Sequence, residues 1–145
     1  MTDNIRAKIL KYIAMTQMNG IGPSTQIALL GIFGNIDSCY DVRYDDLIGA
    51  YENNAASGNT SGLGKSRIDS FVRQREDKNL RIRAEEIMQL SESLGIKVVV
   101  YEDMEYPDRF RSISDMPSVI YTKGKLKKTV RIYAILKNTL NSMSR

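Results

Sequence analysis

Apolar side chains recur at helical spacing through the first two thirds of the chain, which predicts six helices. The expected second helix starts at Pro23, a residue suited to a first helical turn, and stops at Gly34. The other predicted limits are residues 5–17 for the first helix, a cap at Asp37 or Ser38 for the third, a start at Asp45 for the fourth, a start after Gly64 for the fifth, and Asn79 as cap with Gly95 as closing residue for the sixth.

The pattern changes at Gly95, where β-branched runs replace helical spacing. Residues 96–101 and 118–122 each predict a short strand. Residues 130–136 fit a third strand or a helix equally well. The sequence therefore predicts a mainly helical domain over residues 1–94 and a smaller α/β part over residues 95–145.

The residue composition argues against most catalytic chemistry. The chain has no histidine and a single cysteine, Cys39, so it holds neither a His-based catalytic group nor a disulfide of its own. The acidic stretch 102–105 follows a predicted strand, and a solvated loop explains it better than a catalytic site. We therefore predict a non-enzyme without cofactor or metal. No apolar run has the length of a membrane span and the first residues lack a signal-peptide pattern, so a cytoplasmic location is expected.

Two glycine turns stand between predicted helices, at Gly20-Ile21-Gly22 and Gly62-Leu63-Gly64. Glycines flanking one apolar residue are typical of helix-hairpin-helix turns. Such a turn lets a phosphate approach the backbone closely, and the N–H groups at the start of the next helix point toward it. Ile21 is expected to fix the first turn to the core. A tight helical corner with no ligand explains both turns as well.

The charge distribution favours the second turn as a nucleic-acid contact. Residues 61–83 carry seven basic and three acidic side chains, whereas residues 1–60 carry four basic and six acidic ones. The predicted DNA contacts are Gly62, Gly64, Lys65, Arg67, Arg73 and Arg75, with Gly20, Ile21 and Gly22 as second choice. A solvated helix face is the alternative for these charges. Residues 121–145 add seven basic side chains and no acid, which suits either a solubilising end or a nucleic-acid arm.

Several segments together resemble the DprA/Smf family of DNA-processing proteins. The most specific are Tyr106-Pro107-Asp108-Arg109-Phe110 and Met116-Pro117-Ser118-Val119-Ile120-Tyr121-Thr122-Lys123-Gly124, and the two glycine turns agree with them. The resemblance extends over about residues 5–128. It implies a helical, sterile-alpha-motif-like (SAM-like) domain with helix-hairpin-helix turns, followed by the start of a Rossmann-like domain.

The resemblance also implies a function. Proteins of this family act in natural transformation and recombination, bind single-stranded DNA and deliver it to a RecA-type recombinase, without catalytic turnover. By this resemblance, the expected partners are single-stranded DNA, bound weakly through phosphates, and a RecA-type protein. No membrane partner is expected.

The chain departs from the family pattern after Thr129. The family continues with a strand and a Gly-Ser-Arg type of turn, whereas here no glycine follows Gly124. The resemblance therefore implies a relative that lacks the family's principal single-stranded DNA site, either because the gene is truncated or frame-shifted or because the chain is a genuine short relative. It leaves two alternatives: a protein-interaction domain that self-associates through an exposed strand edge, or an inactive remnant.

Overall fold

The computed structural model describes residues 2–55, 62–113 and 115–123, which form mainly helices and one small sheet. The helices are α1 (Asp3–Thr16), α2 (Pro23–Phe33), α3 (Ile36–Asp41), α4 (Tyr44–Ala55), α5 (Lys65–Gln74) and α6 (Lys78–Ser93), and the strands are β1 (Lys97–Val100) and β2 (Val119–Thr122), with a 3₁₀ helix at Asp108–Ser112 between them. The predicted change from helices to strands near Gly95 is confirmed. None of the helices in these ranges combines the length and apolar composition of a membrane span.

Two helix caps differ from the prediction in the same way. Asn35 caps α3 by accepting a hydrogen bond from the Ser38 N–H at 2.8 Å, and Asp77 caps α6 by accepting one from the Asn79 N–H at 2.8 Å. Ser38 and Asn79 were the polar residues expected to cap, but each supplies the N–H. A capping oxygen must stand two or three residues before the N–H that it satisfies, so the cap lies upstream.

Helix α1 is the centre of the core, and the helices and one face of the sheet pack around it. Tyr12, Ile13 and Met15 are fully buried, and α1 contacts α2, α3, α6 and both strands. Of the aromatic side chains at core-like spacing, Phe71 is also fully buried and Tyr40 meets it edge to face, with ring centroids 5.8 Å apart. The helices therefore share a single core with the strand pair.

Three apolar side chains at the helical spacing expected of core residues are exposed. Ile5 in the first turn of α1 is 51% exposed, Ile82 in the second turn of α6 is 57% exposed, and Leu94 just after α6 is 43% exposed. The buried stripe of α6 consists of Ala84, Ile87, Met88 and Ser91. Ile82 lies outside that stripe, so its aliphatic character does not decide its burial.

The strands β1 and β2 form an antiparallel pair with Val98 opposite Tyr121 and Val99 opposite Ile120. Val98 and Tyr121 join the helical core, whereas Val99 and Ile120 form a small cluster with Tyr106 and Met116 from the connection between the strands. The pair is therefore covered on both faces. Nucleotide-binding folds are built from parallel strands, whereas β1 and β2 run antiparallel.

Some predictions lie outside the described residues. The turn-rich stretch predicted as a loop over residues 53–62 belongs to α4 up to Ala55, and residues 56–61 are not among those described. The element predicted over residues 130–136 and the basic side chains beyond Lys123 are also outside. The exposed strand edge proposed for self-association depends on those residues and stays a prediction.

The carboxylate of Glu102 joins three parts of the fold just after β1. It accepts hydrogen bonds from the Tyr12 hydroxyl of α1, from the Ile36 N–H of α3 at 2.9 Å, and from Lys8 at 3.1 Å. Burial, with the hydrogen bond to this carboxylate, raises the pKa of Tyr12. The Glu102 side chain is only 16% exposed, so the predicted solvated loop is wrong at this residue. Met104, two residues on, is fully exposed.

We expect Glu102→Ala to lower the free energy of unfolding by about 2–4 kcal/mol, because it leaves a buried hydroxyl and a buried N–H without an acceptor. The matched control is Glu105→Ala, which removes an exposed ion pair with Lys97 and should cost less than about 0.5 kcal/mol. Urea unfolding followed by circular dichroism measures both. Equal effects would show that the Glu102 carboxylate is not a structural joint.

Candidate nucleic-acid interface

The two glycine turns share one backbone geometry. The first glycine of each turn, Gly20 or Gly62, has a positive φ, +75° and +83° respectively. The apolar residue that follows is buried in both: Ile21 is 3% exposed and Leu63 is 8% exposed. The expected role of Ile21 in fixing the turn to the core is confirmed, and the first glycine is required because other residues rarely adopt this conformation.

The second glycine of each turn has a different role. Gly22 and Gly64 are extended residues that stand at the N-caps of α2 and α5, and neither helix has a side-chain cap. A methyl group at either position would meet no atom of the described residues within 4 Å. The first N–H groups of a helix have no acceptor inside the helix, so both turns present backbone donors beside open space.

The two turns touch and form one surface, called here the turn surface (residues 19–25 and 62–67). Thr25 donates a hydrogen bond from its hydroxyl to the Gly62 carbonyl. A Cβ at Gly62 would lie 2.8 Å from the Cβ of Ser24, which shows how closely the segments approach. Arg67 completes the joint by donating to the Gly20 carbonyl at 2.8 Å.

Helix α5 also holds the residue before the first turn. The Gln74 side chain exchanges two hydrogen bonds with the backbone of Asn19, at 2.8 and 2.9 Å, and Ser70 contributes a weaker one at 3.4 Å. Ser70 and Gln74 are polar residues one helical turn apart, so the sequence already places them on the same face of α5. Nothing in the sequence indicated that Thr25, which is 1% exposed, would bridge the turns.

The predicted basic contacts fall into three groups. Lys65 is exposed in the first turn of α5, and Arg73 is exposed about 12 Å farther along the helix axis. Arg67 is exposed but donates to the first turn, so it has a structural role as well as a charge. Arg75 leaves the turn surface: its Nη1 donates to the Cys39 carbonyl of α3 at 2.9 Å. The structure therefore gathers Lys65 and Arg67, but not Arg75, at the turns.

The electrostatic difference between the two turns agrees with their predicted ranking. Asp115 lies at the start of α2, where its carboxylate accepts a hydrogen bond from Ser24 at 3.3 Å. The first turn of α5 contains no acidic residue and begins with Lys65. A phosphate would therefore meet a carboxylate near the first turn and an ammonium group near the second.

Within residues 2–55, 62–113 and 115–123, no cluster of His, Cys, Asp or Glu side chains is arranged to hold a metal ion. The Cys39 thiol is buried in the core, and burial raises its pKa to about 12. That thiol is therefore a core side chain that behaves as a small apolar group.

Comparisons with protein-family models, with curated proteins and with solved structures gave no match to this chain. The resemblance to the DprA/Smf family therefore depends on the sequence segments quoted above.

Alanine substitutions should separate the roles of the glycines. Gly20→Ala is expected to lower the free energy of unfolding by about 1–2 kcal/mol, the cost of a left-handed non-glycine residue. Gly62→Ala should cost more, because its Cβ also collides with Ser24. Gly64→Ala should cost less than about 1 kcal/mol, since it changes only an N-cap with free space around it. Urea unfolding of the three variants gives the order, and a Gly64 variant as unstable as the Gly62 variant would contradict this assignment.

Proposed function

We propose that this chain is a non-enzymatic DNA-binding module of the DNA-processing type, which binds the phosphate backbone through the turn surface. The observation that supports the proposal is the pairing of two glycine-capped helix N-termini on one surface, with Lys65 at the second of them. Oriented N–H groups and helix dipoles attract phosphate oxygens, and a lysine adds charge without base recognition.

The second turn is the primary contact in this proposal. Gly64 leaves room for a phosphate, and Lys65 follows it directly. Arg67 holds the first turn beside the second and keeps exposed guanidinium donors near it. Because only phosphate contacts are involved, binding is weak, sensitive to salt and insensitive to base sequence.

The biological context in the proposal comes from the resemblance to DprA/Smf proteins. It assigns a role in natural transformation or recombination, with single-stranded DNA as ligand and a RecA-type recombinase as partner. The finer fold belongs to the same proposal: a SAM-like helix-hairpin-helix domain over residues 1–94 and the start of a Rossmann-like domain over residues 95–145. The antiparallel pair β1–β2 does not support the Rossmann-like assignment, which depends on the sequence resemblance alone.

Charge reversal at Lys65 of the second turn and at Arg73, farther along α5, tests the proposal. Fluorescence anisotropy with labelled single-stranded and duplex oligonucleotides should show binding that weakens steeply between about 50 and 200 mM salt. The double variant Lys65→Glu and Arg73→Glu should bind more weakly, and the slope of log K against log salt should fall by about 2 if both residues contact phosphates. Glutamate favours the first turn of α5 at residue 65 but disfavours the last turn at residue 73, so circular dichroism must show that the variant is folded.

Arg43→Glu is the control for total charge. This exposed arginine lies just before α4 and is not part of the turn surface. It should change binding far less than the double variant does. Equal losses would mean that overall charge, and no particular surface, attracts DNA. No binding by the unaltered chain at about 100 µM, the weak end of non-specific affinity, would favour the interaction-domain alternative.

Gly64→Ala tests the phosphate contact without changing charge. Its methyl group occupies the space that a phosphate would need, while the fold accommodates it. We expect affinity to fall by about tenfold, the value of one lost hydrogen bond to a charged group. Gly31→Ala, an equally unhindered exchange at the far end of α2, should leave affinity unchanged in the same titration. Unchanged binding by the Gly64 variant would remove the second turn as a contact.

A further inference from the structure

A second concave surface lies between α1 and α6, and the turn surface is not part of it. This α1–α6 groove has a volume of about 500 Å³. Its apolar lining consists of Ala7, Leu10, Ala14, Tyr40, Leu80 and Ile82. Ile82 is 57% exposed, although it stands next to half-buried aliphatic side chains. An aliphatic groove of this size resembles the concave sites at which proteins bind ligands or partner segments.

Two of the charged side chains in the groove belong to ion pairs. Glu85 accepts two hydrogen bonds from Arg6 of α1, at 3.1 and 3.2 Å. Lys11, the one lysine in the lining, is paired with Asp37 at 2.7 Å. These pairs contribute little net charge to a partner. Asp77 is the N-cap of α6, accepts the Asn79 N–H and keeps its negative charge.

Two arginines remain, and they make the groove positive. Arg75 donates to the Cys39 carbonyl and its Nε is buried without an acceptor among the described residues. Arg81 is exposed and has no ion pair within the part of the chain that the structure describes. Burial raises the pKa of Tyr40 at the groove, and the charges of Arg81 and Arg75 oppose that shift.

We propose that the α1–α6 groove binds an amphipathic helix of a protein partner, with acidic side chains beside the apolar stripe of that helix. The aliphatic lining matches the stripe, and Arg75 and Arg81 match the acids. Ala7 and Ala14 lie two turns apart on α1, and their small side chains let a second helix approach closely. Helix-in-groove recognition works through such a stripe of apolar anchors. This surface is independent of the proposed DNA contact.

Two synthetic peptides of about 18 residues, long enough to be helical, test the proposal. Both carry the same leucine stripe, and one has glutamates and the other lysines beside it. Titrated into the ¹⁵N-labelled full chain, the glutamate peptide should shift amide resonances of α1 and α6 around the groove, in a saturable manner. Arg81→Glu should weaken this binding by about tenfold. The lysine peptide should not bind there.

Ile82→Ser and Ile5→Ser form a matched pair of variants. Both isoleucines are about half exposed, so both variants should fold, but Ile5 does not line this groove. Ile82→Ser should abolish the shifts and Ile5→Ser should leave them intact. The proposal is overturned by equal binding of both peptides, by shifts confined to the turn surface, or by no shifts at about 1 mM peptide. It is also overturned if light scattering shows a dimer that Ile82→Ser dissociates, since the occupant would then be a second copy.

Discussion

The partly buried carboxylate of Glu102 is the interaction on which the arrangement of helices and sheet depends. A carboxylate taken out of water is stable only where donors replace its hydration, and here a hydroxyl, a backbone N–H and a lysine do so. These donors belong to α1 and to the start of α3, while the carboxylate follows β1. One side chain therefore fixes the end of the sheet against the helices, and the connection leading to β2 starts from a fixed point.

The turn surface depends on that arrangement through a second buried polar contact. Gln26 of α2 donates to the Ile21 carbonyl at 3.0 Å and accepts a hydrogen bond from Ser118, just before β2. The first turn is thereby held by the sheet as well as by Arg67 of α5. Gln74 and Arg75, at the end of α5, line the α1–α6 groove. One short helix therefore contributes to both proposed surfaces, a polar one for phosphates and an apolar one for a protein.

Periodicity and glycine positions predicted most of the fold, because both depend on local geometry. Pro23, Gly34 and Gly95 were placed correctly, since each satisfies a conformational requirement of its own residue. Apart from the two helix caps, the errors concern contacts between distant segments. The exposure of Ile82, the burial of Glu102 and the turn of Arg75 toward Cys39 are decided by which elements pack together, and spacing along a single helix does not contain that information. The same limit applies to the site: both turns were predicted, but their contact through Thr25 and Gly62 was not.

The hydrogen bonds between the two turns determine when the turn surface forms during folding. Arg67 and Gly20 are 47 residues apart, and Gln74 and Asn19 are 55 apart, so every bond across the joint closes a long loop. Closing such loops costs chain entropy that only the assembled core offsets, so contacts of this kind form late in folding. Neither half of the chain carries the surface alone. Local opening of α5 would separate both helix ends at once, so the proposed phosphate contact would be lost as a whole and not in part.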